Sequence, residues 1–352
     1  MRLAMDSKSI KIINIARGLG IIMVVFAHVP GQPLNTFSPY IFHMPLFFFI
    51  GGLCFNAEKS YKQISLSVIK KHIPYIVYTY VITGLICLFL WEKYAFSAGQ
   101  PFADSLTGTI ALAYKNNMHN NQIFLVAWFL IAYSIVSLIY PFLIKFLKER
   151  KLIIFLTSAI LMVAMYKIAG QGPVSPQYMN ISLQVAVGGF FYCSGWLMRN
   201  KINTFSNVWA FFLVSIVMIF LTQTGQVVNF SMAWGVYPTG LLLQIVGCIA
   251  GIYATMFFSN LSQDSSILSK LISDIGIESR VIMSYHLTFF SLLSIYFSVT
   301  LGVTVSMQSP YITPYTWYAY TIIGIMAPYL SIKTFRSLRD KIKEIKISKR
   351  LA

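Results

Sequence analysis

Residues 12–29 read IINIARGLGIIMVVFAHV, an apolar run interrupted by one guanidinium, Arg17, and one imidazole, His28. Its length is that of a membrane-spanning helix, and ionisable groups inside such a helix are costly enough to imply a purpose. Eleven helical steps of about 100° bring His28 back to within about 20° of Arg17, roughly 16 Å further along the axis. Both side chains therefore face one direction, one near the start of the span and one past its middle. This arrangement suits a ligand that lies along the helix and crosses part of the bilayer.

The rest of the 352-residue chain matches that opening. It is 57% hydrophobic, 16% aromatic and only 11% charged, with a mean hydropathy of +0.69. That is the composition of an integral membrane protein. About ten apolar segments approach the ~20 residues needed to span the hydrocarbon. They fall roughly at 12–30, 39–56, 73–91, 122–144, 152–169, 181–198, 207–223, 239–258, 279–299 and 313–332. A lipid-exposed segment must satisfy its own backbone hydrogen bonds, so an all-α polytopic fold is expected. The first segment is not read as a cleaved signal peptide, because Arg17 interrupts it and no small-residue cleavage site follows.

Charge sets the expected orientation. Of the 27 Lys and Arg residues, 24 fall on the side of the N-terminus, leaving Lys93, Lys115 and Lys167 for the other. The positive-inside rule then places both termini in the cytoplasm. The net charge of +17 is read as topology plus a basic tail at 341–352 lying on anionic lipid headgroups, with 1–340 as one membrane domain. Nucleic-acid binding is the weaker reading of that tail. Cys54, Cys87, Cys193 and Cys248 all lie inside expected spans without CxxC spacing, so they read as small buried apolar residues. No metal site is expected. No P-loop, GxGxxG or internal repeat is visible. The longest non-helical stretch is expected at 92–121, rich in Asn, Gly and Ser.

With that orientation, Arg17 lies toward the cytoplasm, and His28 and His43 toward the outer face. Glu92, Asp104 and His119 of the 92–121 connection share that outer side, His286 sits near mid-membrane, and His72 reads as interfacial. Each has a plain alternative: Arg17 snorkelling to headgroups, His28 capping its helix, His43, Arg280 and His286 making packing contacts. Asn117, Asn120 and Asn121 read most simply as turn formers, and Gly51-Gly52 as a close-packing pair. No Asp or Glu lies deep in any expected span, which weakens an ion-coupled pump or symporter.

In this order the motifs resemble the acyltransferase 3 family of membrane acyltransferases. The resemblance rests on ARGLGIIMVVFAH (Ala16 to His28), HMPLFFFIGGLCF (His43 to Phe55), and the entry Lys70, Lys71, Ile73, Pro74, Tyr75. It continues through AWFLIAY with Trp128 and Phe129, and the late GIESRVIMSYH (Gly276 to His286). It covers nearly the whole chain, departing at Gly51, where many members carry Ser. The HMPLFFF form is most similar to sugar O-acetylases of bacterial surface polysaccharides. The resemblance implies a bacterial inner-membrane enzyme that takes acetyl-CoA from the cytoplasm. The acceptor is then a sugar hydroxyl of O-antigen, capsule or exopolysaccharide, or of its lipid-linked precursor. Arg17 is then expected at a CoA phosphate, with Arg280 and His286 on the donor channel. His28 is expected as general base, and His43 as its orienter, sugar ligand or oxyanion stabiliser. The alternative is an exporter or flippase of a polysaccharide or lipid-linked intermediate, which leaves the motif set unexplained.

Overall fold

A computed structural model describes residues 5–29, 38–170, 173–263, 266–313 and 315–351, with side chains as far as 342. Twelve α-helices form among these residues, and there are no strands, only isolated bridges at Gly99–Asn121 and Ser231–Val236. They are α1 (Ser7–Ala27), α2 (His43–Cys54), α3 (Tyr61–Tyr94), α4 (Leu106–Lys115), α5 (Ala127–Phe146) and α6 (Lys151–Ala169). Then follow α7 (Gln177–Met198), α8 (Val208–Gln223), α9 (Leu241–Leu261), α10 (Ile267–Ile277), α11 (Ser279–Leu301) and α12 (Trp317–Leu351). The chain is an all-α polytopic membrane protein.

Each of the ten expected segments contains a helix. Seven helices are long and apolar enough to cross a membrane, whereas α2 and α8 are shorter apolar helices. At 1.5 Å per residue the 12 residues of α2 rise only about 18 Å, short of the hydrocarbon thickness. A 3₁₀ turn, Pro39–Ile41, precedes it.

The 92–121 connection differs from expectation. The helix α3 continues to Tyr94, and α4 forms within the stretch. Ser105 starts α4 by accepting from the Gly108 N–H at 3.0 Å, the usual N-cap solution for an orphan donor. Leu106, Ile110, Ala113 and Tyr114 repeat at helical spacing, a pattern that the Gly and Thr between them obscure.

Two seams fix the bundle. Along α2 and α7 a Cβ at Gly52 would strike the Tyr192 carbonyl oxygen, and one at Gly195 would strike the Phe49 carbonyl oxygen. Along α1 and α10 the same holds for Gly18 against Ile272 and for Gly276 against Asn14. Backbone meets backbone at both, the close approach that small residues permit between membrane helices. The second seam sets α10 beside Arg17.

At the same end, α12 is tied to the α10–α11 corner. Arg336 makes a two-pronged ion pair with Glu278, its Nη2 at 2.8 Å from Oε2, and Lys333 lies 2.9 Å from Asp274. Glu278 is a buried carboxylate, tolerated because its charge is matched in a fork geometry.

A side chain at Gly195 has nowhere to go. We expect Gly195→Val to lower the melting temperature in detergent through at least about 1–3 kcal/mol of overpacking, while Gly225→Ala, with no atom near its would-be Cβ, has a smaller effect set by its positive φ. Fluorescence-monitored thermal size exclusion of both variants checks this.

Candidate functional site

His28 caps the end of α1, and its Nδ1 lies 2.8 Å from the Val24 carbonyl oxygen, one turn back. The Pro39–Ile41 turn brings Tyr40 beside it and leads into His43, whose Nδ1 contacts the Pro39 carbonyl oxygen. His286 of α11 sits within reach of the Ile282 and Met283 carbonyl oxygens, at 3.1 and 2.9 Å. His119, after α4, repeats the arrangement with Asn117 at 2.8 Å. A carbonyl oxygen only accepts, so each Nδ1 carries the hydrogen and each Nε2 presents a lone pair. Four imidazoles are thereby held in the tautomer of a base.

Their rings converge. His28 and His286 centroids are 5.0 Å apart, His28 and Tyr40 6.1 Å, and Tyr40 and His43 5.3 Å. His28, Tyr40, His43 and His119 line a cavity of about 230 Å³, faced by Trp128 and the 230–234 segment. His119 packs against Trp234 at 4.7 Å, and burial pushes its imidazole below its usual pKa. No set of three His, Cys, Asp or Glu among the described residues has the geometry to hold a metal ion.

The opposite end of α1 faces a second cavity, of about 370 Å³, bordered by Arg17, His72, Tyr75, Tyr133 and Arg280. No Asp or Glu borders it. Arg17 reaches the Cys54 Sγ at 3.1 Å and Asn14 Oδ1 at 3.4 Å. The Arg280 guanidinium lies over the Tyr75 ring, 4.1 Å from its centroid, and the Tyr75 hydroxyl donates to Ser284 Oγ at 2.9 Å. His72 stacks on Tyr133, 5.9 Å away and 8° from parallel. Two guanidiniums without carboxylate partners among the described residues make a site for an anion with several charges. At Gly51 a Cβ would lie 2.7 Å from the Tyr133 hydroxyl, so the Gly there makes room for that tyrosine.

A thin aromatic partition separates the cavities. On α5, Trp128 borders the His28 cavity and the next residue, Phe129, borders the Arg17 cavity. On α2, Pro45 and Phe47 divide in the same way, and the Phe47 and Phe129 rings lie 6.1 Å apart. Trp128 also borders an apolar groove of about 460 Å³ between α3, α4, α5 and α7.

The family model for the acyltransferase 3 domain, described as an acyltransferase domain, matches residues 10–276, more than half of the chain. The chain belongs to the acyltransferase 3 family. It is a multi-pass membrane acyltransferase, and the matched residues include Arg17, His28 and His43 of both cavities. Arg280 and His286 lie beyond the matched region. No curated protein and no solved structure matches the chain.

Several residues escaped the sequence reading. Tyr40, Tyr133 and Trp234 carried no local signal, and His72 borders the Arg17 cavity where an interfacial residue was expected. Asn117 does adopt a turn-forming positive φ of 49°, but its side chain is buried. Its Nδ2 donates to the Ala233 carbonyl oxygen at 2.7 Å, and its Oδ1 accepts from Gln177 at 2.8 Å. Asn180 and Gln184 donate to the same carbonyl, at 2.8 and 2.7 Å. These amides pin the 230–234 wall of the His28 cavity. Asn117→Leu leaves buried polar groups unpaired, at roughly 1–3 kcal/mol each. We expect a lower melting temperature and loss of the native Trp234 fluorescence, measured against Trp234→Phe as reference.

Proposed function

We propose that this chain is an O-acetyltransferase that moves an acetyl group from acetyl-CoA to a sugar hydroxyl across the aromatic partition. The observation that carries this reading is the pairing of a carboxylate-free basic cavity at one end of α1 with a cavity of basic imidazoles at the other. The Arg17 cavity suits the phosphates of CoA, with Arg17 and Arg280 as charge-assisted donors. The His28 cavity suits an acceptor: it is polar, aromatic-walled by Trp128 and Trp234, and holds an unprotonated Nε2. Trp128 also borders the apolar groove, which favours an acceptor carried on a lipid, as a precursor of O-antigen, capsule or exopolysaccharide is. No metal takes part in the proposed reaction, and the membrane is assigned as the bacterial inner membrane.

In this reading the acceptor oxygen attacks the thioester carbon while His28 Nε2 takes its proton, a task for a base with a near-neutral pKa. The C–O bond forms, the C–S bond breaks, and the thiolate regains a proton. His43, on the same cavity wall with its own free Nε2, orients the acceptor or stabilises the oxyanion. An exporter of a polysaccharide or lipid intermediate needs no fixed basic tautomer at His28 and moves its solute without CoA release.

The proposed orientation, both termini cytoplasmic, follows from the 24 basic residues sharing one side. Asp104→Cys should react with an impermeant thiol reagent in intact cells and Lys341→Cys only after lysis; the reverse pattern overturns the orientation.

The chemistry is tested with purified protein in nanodiscs, reading acceptor-dependent CoA release and CoA affinity in parallel. Arg17→Ala should weaken CoA binding by roughly 1.5–3 kcal/mol, the worth of a hydrogen bond to a charged group, and Arg17→Lys should restore only part of it. His28→Ala should leave CoA affinity intact and reduce turnover by about 10²-fold or more, with His28→Gln giving no rescue. Turnover within a few-fold of wild type for His28→Ala would exclude it as the base.

A further inference from the structure

His286 has no part in the chemistry just described. It is fully buried on α11 and borders neither the Arg17 cavity nor the His28 cavity. Its Nδ1 hydrogen is engaged by the Ile282 and Met283 carbonyl oxygens, so its Nε2 holds a lone pair. That atom is buried and has no hydrogen-bond partner among the described residues. Burying an acceptor unpaired is unfavourable, and folded proteins keep few such atoms without a use for them. A leucine in the same place, beside the perpendicular ring of Phe290, would avoid the penalty altogether.

The His28 ring packs against it, 5.0 Å away between centroids and inclined by 60°. Phe290 offers no N–H or O–H. His28 at rest has nothing to donate either, because its single N–H is held by Val24. It gains a second N–H, at Nε2, only when it takes up a proton. The titratable groups around the pair are Tyr40 against His28, His43 beyond Tyr40, and His119 on the same cavity. None of these is a carboxylate, and among the described residues no Lys or Arg touches either ring. An imidazolium formed at His28 therefore has no anion beside it among the described residues, and the His286 ring, with its unpaired Nε2, is packed against it.

We propose that His286 stabilises the positive charge that His28 carries while it holds the acceptor's proton. This deepens the assignment of His28 as base and rests on it. As the acceptor oxygen bonds to the thioester carbon and the C–S bond breaks, the acceptor proton passes to His28 Nε2. The charge then sits against the His286 ring, whose unpaired Nε2 dipole stabilises it through the low local dielectric. When the thiolate sulphur takes the proton, both rings are neutral again and CoA leaves as the thiol. His286 touches no substrate in this scheme and acts as a positioning residue for charge.

The test compares wild type, His286→Leu and His286→Gln in nanodiscs for kcat, both KM values, CoA affinity, melting temperature and the solvent isotope effect in mixed H₂O/D₂O. Removing an unpaired buried acceptor should leave His286→Leu as stable as wild type or more so. Its kcat should nonetheless fall at least tenfold, with KM and CoA affinity unchanged. His286→Gln, which keeps an acceptor oxygen near the Nε2 position, should recover much of that loss. The proton inventory should run straight for both proteins, since a single proton is in flight, and a bowed plot for wild type would overturn the scheme. A packing role predicts the opposite: His286→Leu active within twofold, or kcat falling only together with stability; either result overturns the proposal and leaves His28 as base untouched. Should the leucine variant not fold, His286→Met carries the same expectations. A wild-type protein that transfers no acyl group from a thioester overturns the assignment of His28 and this proposal together.

Discussion

Each imidazole at the His28 end is anchored through Nδ1 to a main-chain carbonyl, and the chemistry proposed for the molecule depends on that one kind of bond. Val24, Pro39, Asn117, and Ile282 with Met283 supply the carbonyls. Four of them lie three or four residues back in the chain and Asn117 lies two back, so the anchor comes with the local fold and needs no partner element. In hydrocarbon such a bond is hard to lose, because no water competes for either group. The tautomer is thus set by the backbone, and a charged partner of the kind soluble enzymes place behind a histidine is absent among the described residues.

The same economy of carboxylates shapes the other end. Arg17 and Arg280 have no carboxylate partner among the described residues and are held by Cys54, Asn14 and the Tyr75 ring. The acidic residues nearby, Asp274 and Glu278, are already engaged by Lys333 and Arg336 of α12. The helix α12 thereby pairs both carboxylates of the corner whose residues Ile277 and Ser279 border the basic cavity. Without that pairing they would compete with an incoming polyanion for the guanidiniums.

How much of this was legible in the sequence follows from the range of the interactions. The helices were, because each apolar run satisfies its own backbone, and so was the placing of Arg17 and His28 towards opposite ends of one of them. The Gly51-Gly52 pair correctly signalled a close approach, though its partners Tyr133 and Tyr192 did not announce themselves. The helix α4 was missed because Gly and Thr dilute its apolar stripe. The meeting of His286 with His28 joins α11 to α1, and the amide cluster joins Asn117 to Ala233 across the chain. Long-range pairings of this kind leave no periodic trace. His286, expected on the donor channel, borders neither of the two cavities and packs against His28.

The glycine seams carry a mechanical consequence. Where α2 meets α7 and α1 meets α10, main chain lies on main chain, and no side chain is present there to change rotamer and let one helix slide past the other. Rocking of one half of the bundle against the other, the motion by which transporters alternate access, would have to break both seams. What stands between the two cavities is a pair of phenyl rings, Phe47 and Phe129, whose rotation moves no backbone. On the proposed function, such a barrier would open for something as slender as an extended thiol arm and stay shut to a sugar.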